Sequence, residues 1–194
     1  MSELLLANIA KRISLNKKEK ELFLSYLSTK KIRKRQYLVQ EGEQSKYSAF
    51  VLSGCLRSYF IDANGFEHIL QFAIEDWWIA DMMSITTQRP GNLAIDALED
   101  SEVMLLSREN QLKLFDECPK FERYFRIITE NGMVSFQRRV LENISLPAAE
   151  RYKNFAKRYP VMVQRLPQTQ VASYLGITPE FLSKIRHQMM YQKP

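Results

Sequence analysis

The spacing of the apolar residues changes at Pro119, and this change limits the folds open to the chain. Between residues 36 and 107, short stretches rich in Val, Ile, Leu, Phe and Tyr are separated by turn residues, as in short antiparallel strands. After Pro119 the apolar residues recur at steps of three and four, the period of an α-helix. The 194 residues therefore predict an α+β chain in which an antiparallel sandwich or barrel precedes helices.

Two short helices are predicted over residues 3–29, where apolar residues lie at helical spacing. Within the β segment, Asn64-Gly65 predicts a hairpin with a type I′ turn, because both central residues of that turn need positive φ. The run KKIRKR, residues 30–35, has two interpretations: a nucleic-acid-binding patch or a solvated lead-in to a strand.

A helix of about 24 residues, ~36 Å long, is predicted after Pro119. A helix of this length outgrows the β segment beside it, so we expect its apolar stripe to contact a second copy of the chain, with Gly132 permitting close approach. The alternative is burial of the stripe against its own β segment. The candidate dimer residues are Phe121, Phe125, Ile128, Gly132, Phe136 and Val140.

The segment Leu166–Gln188 predicts two helices joined at a tight corner. Gly176 can take the left-handed conformation that ends the first helix, and Thr178 and Pro179 are suited to the N-cap and first position of the second. Apolar residues on both helices face a common core. This is the pattern of a helix-turn-helix, whose second helix enters the major groove of DNA.

Charge is distributed in agreement with DNA binding. Residues 133–194 hold ten Lys and Arg against three Asp and Glu, whereas residues 1–132 hold 18 against 19. Cations concentrated in one segment favour binding to phosphates, although a solvated helix surface is the alternative for each side chain alone. The candidate DNA-binding residues are Thr169, Gln170, Thr178, Pro179, Glu180, Phe181, Ser183, Lys184, Arg186 and His187.

Cysteine content and hydropathy exclude several other classes of protein. Cys55 and Cys118 lie far apart and lack CxxC spacing, which argues against a disulfide scaffold, structural zinc or an iron–sulfur cluster and favours the cytoplasm. No convincing pair of haem ligands is present. No apolar run approaches the roughly 20 residues that a membrane span needs, and the N-terminal stretch is interpreted as a helix and not a signal peptide.

The order of these motifs resembles the Crp/Fnr family of bacterial transcription regulators. The resemblance implies a cyclic-nucleotide-binding-like jelly roll at residues 1–118, a dimerisation helix at 119–145 and a helix-turn-helix domain at 146–194. It also implies a homodimer that binds double-stranded DNA in response to a small-molecule effector, with RNA polymerase as a further candidate partner. The residues that carry it are EGE at 41–43, LSG at 52–54, Asn64-Gly65, ALEDSEVMLL at 97–106, AERYKNF at 149–155 and the helix-turn-helix.

The stretch Trp77–Leu98 departs from the phosphate-binding cassette of family members that bind cyclic AMP. Those members have Gly-Glu before a short helix and an arginine after it, whereas this chain has Ala80-Asp81 and, in the arginine's place, about Gly91. An effector other than cyclic AMP is therefore expected, with ordinary core packing as the alternative for the aromatic and methionine residues. The candidate effector residues are Trp77, Trp78, Asp81, Met82, Arg89 and Asn92.

Three alternatives stay open at this point. The wing that follows the recognition helix in winged members is either absent or cut off, since only MMYQKP follows Gln188. A regulator without an effector, its cavity filled by side chains, has the same sequence pattern. A metal-dependent cupin-type enzyme would share the jelly roll, but cupin sites need several histidines on one metal, and His68 and His187 are assigned to different domains.

Overall fold

The computed structural model describes residues 2–191, with side chains described for residues 2–189. The elements before Pro119 are α1 (Glu3–Ala10), α2 (Lys17–Ser25), β1 (Leu27–Ile32), β2 (Tyr37–Val39), β3 (Tyr47–Ser53), β4 (Leu56–Ile61), β5 (Glu67–Ala73), β6 (Trp78–Ile79), α3 (Met82–Thr87), β7 (Ala94–Ala97), β8 (Ser101–Ser107) and α4 (Arg108–Glu117). Those after it are α5 (Lys120–Ser145), α6 (Ala148–Arg158), α7 (Pro160–Arg165), α8 (Gln168–Leu175) and α9 (Pro179–Tyr191). The two predicted N-terminal helices, the strand-rich segment and the helical C-terminal third are confirmed.

The strands form two antiparallel sheets that pack face to face. Sheet A has the order β1-β8-β3-β6, and sheet B has the order β2-β7-β4-β5. Apolar side chains from both sheets fill the space between them, which gives the antiparallel sandwich that the sequence predicts and the jelly roll that the resemblance implies. The buried residues of this inner layer are Ile32, Val39, Ala49, Val51, Leu56, Ala73, Ile79, Ile95, Ala97, Val103 and Leu105.

The β4–β5 hairpin lies where Asn64-Gly65 predicts it, but the predicted type I′ turn is wrong. Gly65 has a φ of 82°, whereas Asn64 is not among the residues with positive φ. The loop is longer than two residues, since the Asp62 N–H donates to the Phe66 carbonyl at 3.0 Å. An Asp62 carboxylate oxygen accepts hydrogen bonds from the N–H groups of Asn64 and Phe66, at 2.9 and 3.0 Å. This side-chain cap stabilises the longer loop.

Helices α1, α2, α4 and the first half of α5 cover the outer face of sheet A. Phe121 of α5 stacks on Phe23 of α2 with ring centroids 4.6 Å apart, and both are fully buried. Phe125 packs edge-on against Trp78, and the Trp78 indole N–H donates to the Tyr124 hydroxyl at 2.9 Å. The first half of the long helix therefore belongs to the core of its own chain.

The second half of α5 presents an apolar surface to solvent. Phe136 is 52% exposed and Ile144 is 78% exposed. Met133, Val134, Val140 and Leu141 are exposed on the same half of the helix. The 26-residue α5 thus confirms the predicted long helix, while its apolar stripe is divided. Phe121 and Phe125 pack within their own chain, as the alternative interpretation expected. Phe136 and Val140 are exposed to solvent instead.

The C-terminal helices cover the outer face of sheet B and share a hydrophobic core with it. Five residues of the β segment and nine residues of α6 to α9 belong to one buried cluster. Phe72 of β5, for example, packs against Tyr174 of α8 with ring centroids 5.4 Å apart. The residues of this shared core are Cys55, Tyr59, Ile69, Phe72, Ala94, Tyr152, Phe155, Met162, Leu166, Val171, Ala172, Leu175, Leu182 and Ile185.

Strand β5 is an edge strand of sheet B, and side chains from two helices bond to its backbone. The Ser173 hydroxyl donates to the Glu67 carbonyl at 2.6 Å and accepts the Ile69 N–H at 3.1 Å. The Arg139 guanidinium donates to the carbonyls of Ile69 and Leu70, at 3.2 and 2.7 Å. These contacts fix α5 and α8 on the same edge.

Arg165, at the end of α7, joins the helical part to the β segment through two carboxylates. Its guanidinium donates to both oxygens of Glu75, at 2.7 and 2.9 Å, and to both oxygens of Glu99. The hydrogen bonds from Arg165 lower the pKa of Glu75 below its ordinary value. The Glu75 carboxylate is therefore charged near neutral pH, and Arg165 pairs with it and with Glu99.

Replacing Arg165 by Met should lower the free energy of unfolding by about 1–2 kcal/mol, because two partly buried carboxylates lose their partner while the apolar stem is kept. Chemical denaturation, monitored by circular dichroism, measures the change in the free energy of unfolding. Lys157→Met, at an exposed position of α6, is the control and should shift the midpoint little. Equal losses in the two variants would contradict the role of Arg165 in joining the two parts.

Candidate DNA-binding and effector sites

The corner between α8 and α9 has the geometry that the sequence predicts. Gly176 ends α8 with a φ of 65°, and the Ile177 N–H donates to the Ala172 carbonyl at 3.0 Å. The Thr178 hydroxyl accepts the N–H of Phe181 at 3.2 Å and so caps the start of α9. Apolar side chains beneath the corner are buried. They are Val171, Ala172, Leu175, Leu182 and Ile185.

Most of the candidate DNA-binding residues lie on the outer surface of this unit. Arg186 is half-buried, and Gln170 is directed to the β segment. The surface of α9 thus offers a carboxylate, an ammonium and an aromatic ring side by side. The exposed candidates are Thr169, Thr178, Pro179, Glu180, Phe181, Ser183, Lys184 and His187.

Gln170 is held by Arg57, so its expected contact with DNA is not supported by its position. The Arg57 guanidinium donates to the Gln170 side-chain oxygen at 2.6 Å and to the two oxygens of Asp96 at 2.7 and 3.0 Å. It also pairs with Glu67 and lies over the Tyr59 ring, 4.1 Å from the centroid. Burial opposes the charge of Arg57, but its hydrogen bonds to the two carboxylates raise its pKa.

Arg57 is a residue that the sequence interpretation missed, although a signal was present. Arg57 lies within a mostly apolar strand and Asp96 within an otherwise apolar one, and both are buried. Charged residues are rarely buried unless they are paired, so opposite charges on two apolar strands indicate an ion pair. The contact with Gln170 had no such signal, because it depends on how α8 packs against the sheet.

The altered cassette is closed around Asp81. This residue is 0% exposed, and one carboxylate oxygen caps α3 by accepting the Ser84 N–H at 3.0 Å. The second oxygen has no hydrogen-bond partner among the described residues, and it would lie 2.0 Å from a Cβ atom added to Gly91. The Ser84 hydroxyl in turn donates to the Arg89 carbonyl at 2.6 Å. A carboxylate and packed backbone therefore occupy the region where the resemblance places phosphate-binding groups.

The six candidate effector residues do not converge on one pocket. Trp77 packs edge-on against Tyr159 of the C-terminal helices, and Trp78 packs against Phe125. Met82, Arg89 and Asn92 are exposed around the buried Asp81. The alternative interpretation, that these side chains are ordinary packing material, therefore applies to the two tryptophans.

The cassette residues do not fit a cyclic nucleotide. A bound cyclic phosphate needs a cation and free N–H donors, and Arg89 is the single cation in Trp77–Leu98. Arg89 is exposed, and the Gly91 N–H already donates to the Glu43 carbonyl at 3.1 Å. The buried carboxylate of Asp81 would repel the phosphate.

The described residues hold neither a cluster of metal-ligating side chains nor a membrane-spanning helix. Within residues 2–191, no group of three or more His, Cys, Asp and Glu side chains is arranged to hold a metal ion. None of the helices in that part of the chain has the length and apolarity needed to cross a membrane.

Comparison with known proteins places the chain in a class. Residues 29–118 match the family model of the cyclic nucleotide-binding domain. No curated protein matches the chain. Residues 29–118 are therefore similar to the cyclic nucleotide-binding domain, and the helix-turn-helix corner follows them in the chain.

Several solved structures have the same fold as this chain. FixK2 of Bradyrhizobium japonicum is 22% identical, with 86% of this chain and 85% of that chain covered and a TM-score of 0.72. A putative transcriptional regulator of the Crp/Fnr family from Eubacterium rectale is 15% identical, with 92% and 85% covered and a TM-score of 0.71. The c-di-GMP responsive global regulator CLP of Xanthomonas campestris is 14% identical, with 91% and 92% covered and a TM-score of 0.69. The chain has the fold of the Crp/Fnr transcription regulators, as its motifs predict.

Addition of cyclic AMP or cyclic GMP should give no specific binding, because the cassette offers a buried carboxylate where a phosphate needs cations. Isothermal titration calorimetry measures this directly. Asp81→Ala is the matched control. A weak heat of binding that is the same in this variant does not come from binding at the cassette. A dissociation constant in the micromolar range or below for the wild-type protein, changed by Asp81→Ala, would contradict the interpretation.

Proposed function

We propose that the chain is a cytoplasmic, DNA-binding transcription regulator of the Crp/Fnr type, which reads an operator through residues 168–188. The observation that carries the proposal is the exposed polar surface of α9, which stands on a buried helix-turn-helix corner. The ten Lys and Arg of residues 133–194, against three acidic residues, supply the positive charge that phosphates attract. Contact with RNA polymerase stays a prediction from the resemblance.

The exposed residues of α9 and of the first turn of α8 have two proposed roles. Glu180 can accept a hydrogen bond from cytosine N4, and Lys184 can donate to guanine O6 and N7, so these two side chains specify bases. Thr169 and Arg186 are better suited to phosphates, where they orient the protein without reading sequence. Pro179, Phe181, Ser183 and His187 complete the proposed surface against the major groove.

A homodimer through the second half of α5 is the second part of the proposal. An exposed apolar strip that includes Phe136, Val140 and Ile144 runs along this half of the helix. Contiguous exposed apolar surface of this kind marks an interaction site, and a two-fold axis along α5 would pair the strip with itself. Two recognition helices related by that axis would read a roughly palindromic site, with half-sites ~34 Å apart or a multiple of that distance.

The signal that controls the regulator is proposed to be an effector other than a cyclic nucleotide. An effector-free regulator is a second candidate, and it is favoured by one observation. The inner layer between the sheets is filled by buried apolar side chains such as Val51, Ile95 and Val103. Mass spectrometry of the purified protein under native conditions separates the two candidates, because a retained small molecule would support the first.

Replacing Glu180 or Lys184 by Ala should relax base preference, each by about 1–3 kcal/mol at one position of the half-site, because a bidentate or charged base contact is lost. The measurement is fluorescence anisotropy with a site selected by the wild-type protein from random-sequence DNA and with that site mutated base by base. Lys20→Ala, which removes one exposed charge from α2, is the matched control and should keep the wild-type preference. Failure of the wild-type protein to select any sequence would contradict the proposed function.

Replacing Phe136 by Asp should convert the dimer to a monomer. The side chain occurs twice in a two-fold interface and contributes about 1.5–3 kcal/mol per copy, so dimerisation should weaken at least ~100-fold. Sedimentation velocity at micromolar concentration measures the mass. Leu112→Asp on α4 is the control, since Leu112 is also an exposed apolar residue but lies outside the proposed interface. A wild-type protein that sediments as a monomer would contradict the dimer.

A further inference from the structure

A cleft with a volume of about 510 Å³ lies between the loop that joins α1 to α2 and the first turn of α5, and it is called the basic cleft below. This volume is within the range of small-molecule sites. Three cations line the cleft: Arg12 of the loop, and Lys120 and Arg123 of α5. None of the described residues that line it is acidic. The basic cleft therefore presents positive charge to a ligand.

Arg12 is held in place by a buried residue. Its Nη1 group donates to the backbone carbonyl and to the side-chain oxygen of Asn8, both at 2.8 Å. Asn8 is buried, its amide donates to the Asp76 carboxylate at 2.8 Å, and its side-chain oxygen accepts the Tyr124 hydroxyl at 2.9 Å. Both bonds to Asn8 use Nη1, and Nε and Nη2 make no hydrogen bond to another described residue. Donors of a fixed guanidinium are therefore left for a ligand.

The two cations of α5 differ in how far they are already paired. Lys120 forms an ion pair with Glu19 at 2.7 Å, and half of its side chain is exposed. Arg123 is exposed and, in the part of the chain that the structure describes, takes part in no ion pair or hydrogen bond. The whole guanidinium of Arg123 is therefore available to a ligand.

The carboxylate of Glu19 does not neutralise the cleft. One of its oxygens binds Lys120, and the other accepts the Asn16 N–H at 2.8 Å in the capping box at the start of α2. The hydrogen bond from Lys120, with that from Asn16, lowers the pKa of Glu19 below its ordinary value. Glu19 is thus charged near neutral pH and balances Lys120, which leaves Arg12 and Arg123 without a carboxylate across the cleft.

The loop of residues 11–16 adds both polar and apolar groups to the basic cleft. Ser14 is exposed, so its hydroxyl can donate to a ligand oxygen. Ile13 is buried and Leu15 is half-buried, and both line the cleft beside the cations. The cleft therefore combines an anion-binding wall with apolar surface for the carbon atoms of an organic molecule.

The basic cleft is separate from the two sites described above. Helices α1, α2 and the first half of α5 pack on sheet A, whereas α8 and α9 share a core with sheet B. The cleft and the helix-turn-helix thus lie on opposite sides of the sandwich. None of the residues of the cassette, 77–98, lines the cleft. Neither DNA bound at α9 nor a ligand inside the jelly roll would fill it.

We propose that the basic cleft binds a small organic molecule that carries a phosphate group. One guanidinium matches the single charge of a carboxylate, whereas a phosphate monoester carries about −1.5 to −2 at pH 7 and is matched by two. Arg12 and Arg123 are those two groups, and Ser14 supplies a further donor. The organic part of the ligand contacts Ile13 and Leu15. The inference concerns ligand binding alone and stands apart from the proposed DNA binding.

The test is isothermal titration calorimetry of the full chain with inorganic phosphate, ribose 5-phosphate and ribose. Ribose 5-phosphate should bind with one molecule per chain, inorganic phosphate should bind more weakly, and ribose should not bind. Arg123→Gln should weaken the binding of ribose 5-phosphate about tenfold, because a charge-assisted hydrogen bond is lost. Arg123 has no partner among the described residues, so this variant should keep the fold, and thermal unfolding checks that it does.

Arg126→Gln is the matched control. Arg126 lies about one turn further along α5, is also exposed and does not line the cleft, so its replacement should leave the affinity unchanged. Equal weakening in the two variants would overturn the inference, since the probe would then be attracted by the general charge of α5. Absence of saturable binding for both phosphate probes would also overturn it. A third contrary result is succinate bound as tightly as ribose 5-phosphate, because the cleft would then not select phosphate.

Discussion

The packing of the C-terminal helices against the outer face of sheet B is the interaction on which the rest of the structure depends. A helical unit of about 45 residues is too small to bury a stable core by itself. Here Ile69 and Phe72 of β5 complete that core, together with Val171 and Leu175 of α8. Because the interface is apolar, the polar groups within it need partners, and the pairing of Arg57 with Asp96 and Gln170 meets that need. The position of α9 therefore follows from the position of the sheet.

Local patterns predicted the parts of the fold that local interactions determine. Gly176 and Thr178 specify the helix-turn-helix corner through their own backbone and side chain, and both have the predicted role. The features that were missed depend on packing between distant segments. The side chain of Gln170 binds Arg57, 113 residues away, and no spacing in the sequence indicates that contact. The apolar stripe of α5 is regular, so the sequence could not show that Phe121 is internal and Phe136 is exposed.

The candidate effector region was only partly predictable from its sequence motif. The departure at Asp81 and Gly91 was evident from the sequence, and it predicted that cyclic AMP is not the effector. In the structure a buried Asp81 carboxylate oxygen abuts the position where any residue other than glycine at 91 would place a Cβ atom, which accounts for the glycine in the arginine's place. Grouping Trp77 and Trp78 with Asp81 was less successful, because neighbouring residues of an extended segment point to opposite faces of a sheet.

The contacts of Ser173 and Arg139 with β5 have a consequence for solubility. An edge strand exposes unpaired N–H and C=O groups, which can pair with the edge of another molecule. In this chain the hydroxyl of Ser173 and the guanidinium of Arg139 bond to that backbone at Glu67, Ile69 and Leu70. Any motion that lifts α8 from the sheet would expose the strand as well as the shared core. The docked helices thus protect the protein from edge-to-edge aggregation, and loss of docking would first be seen as self-association.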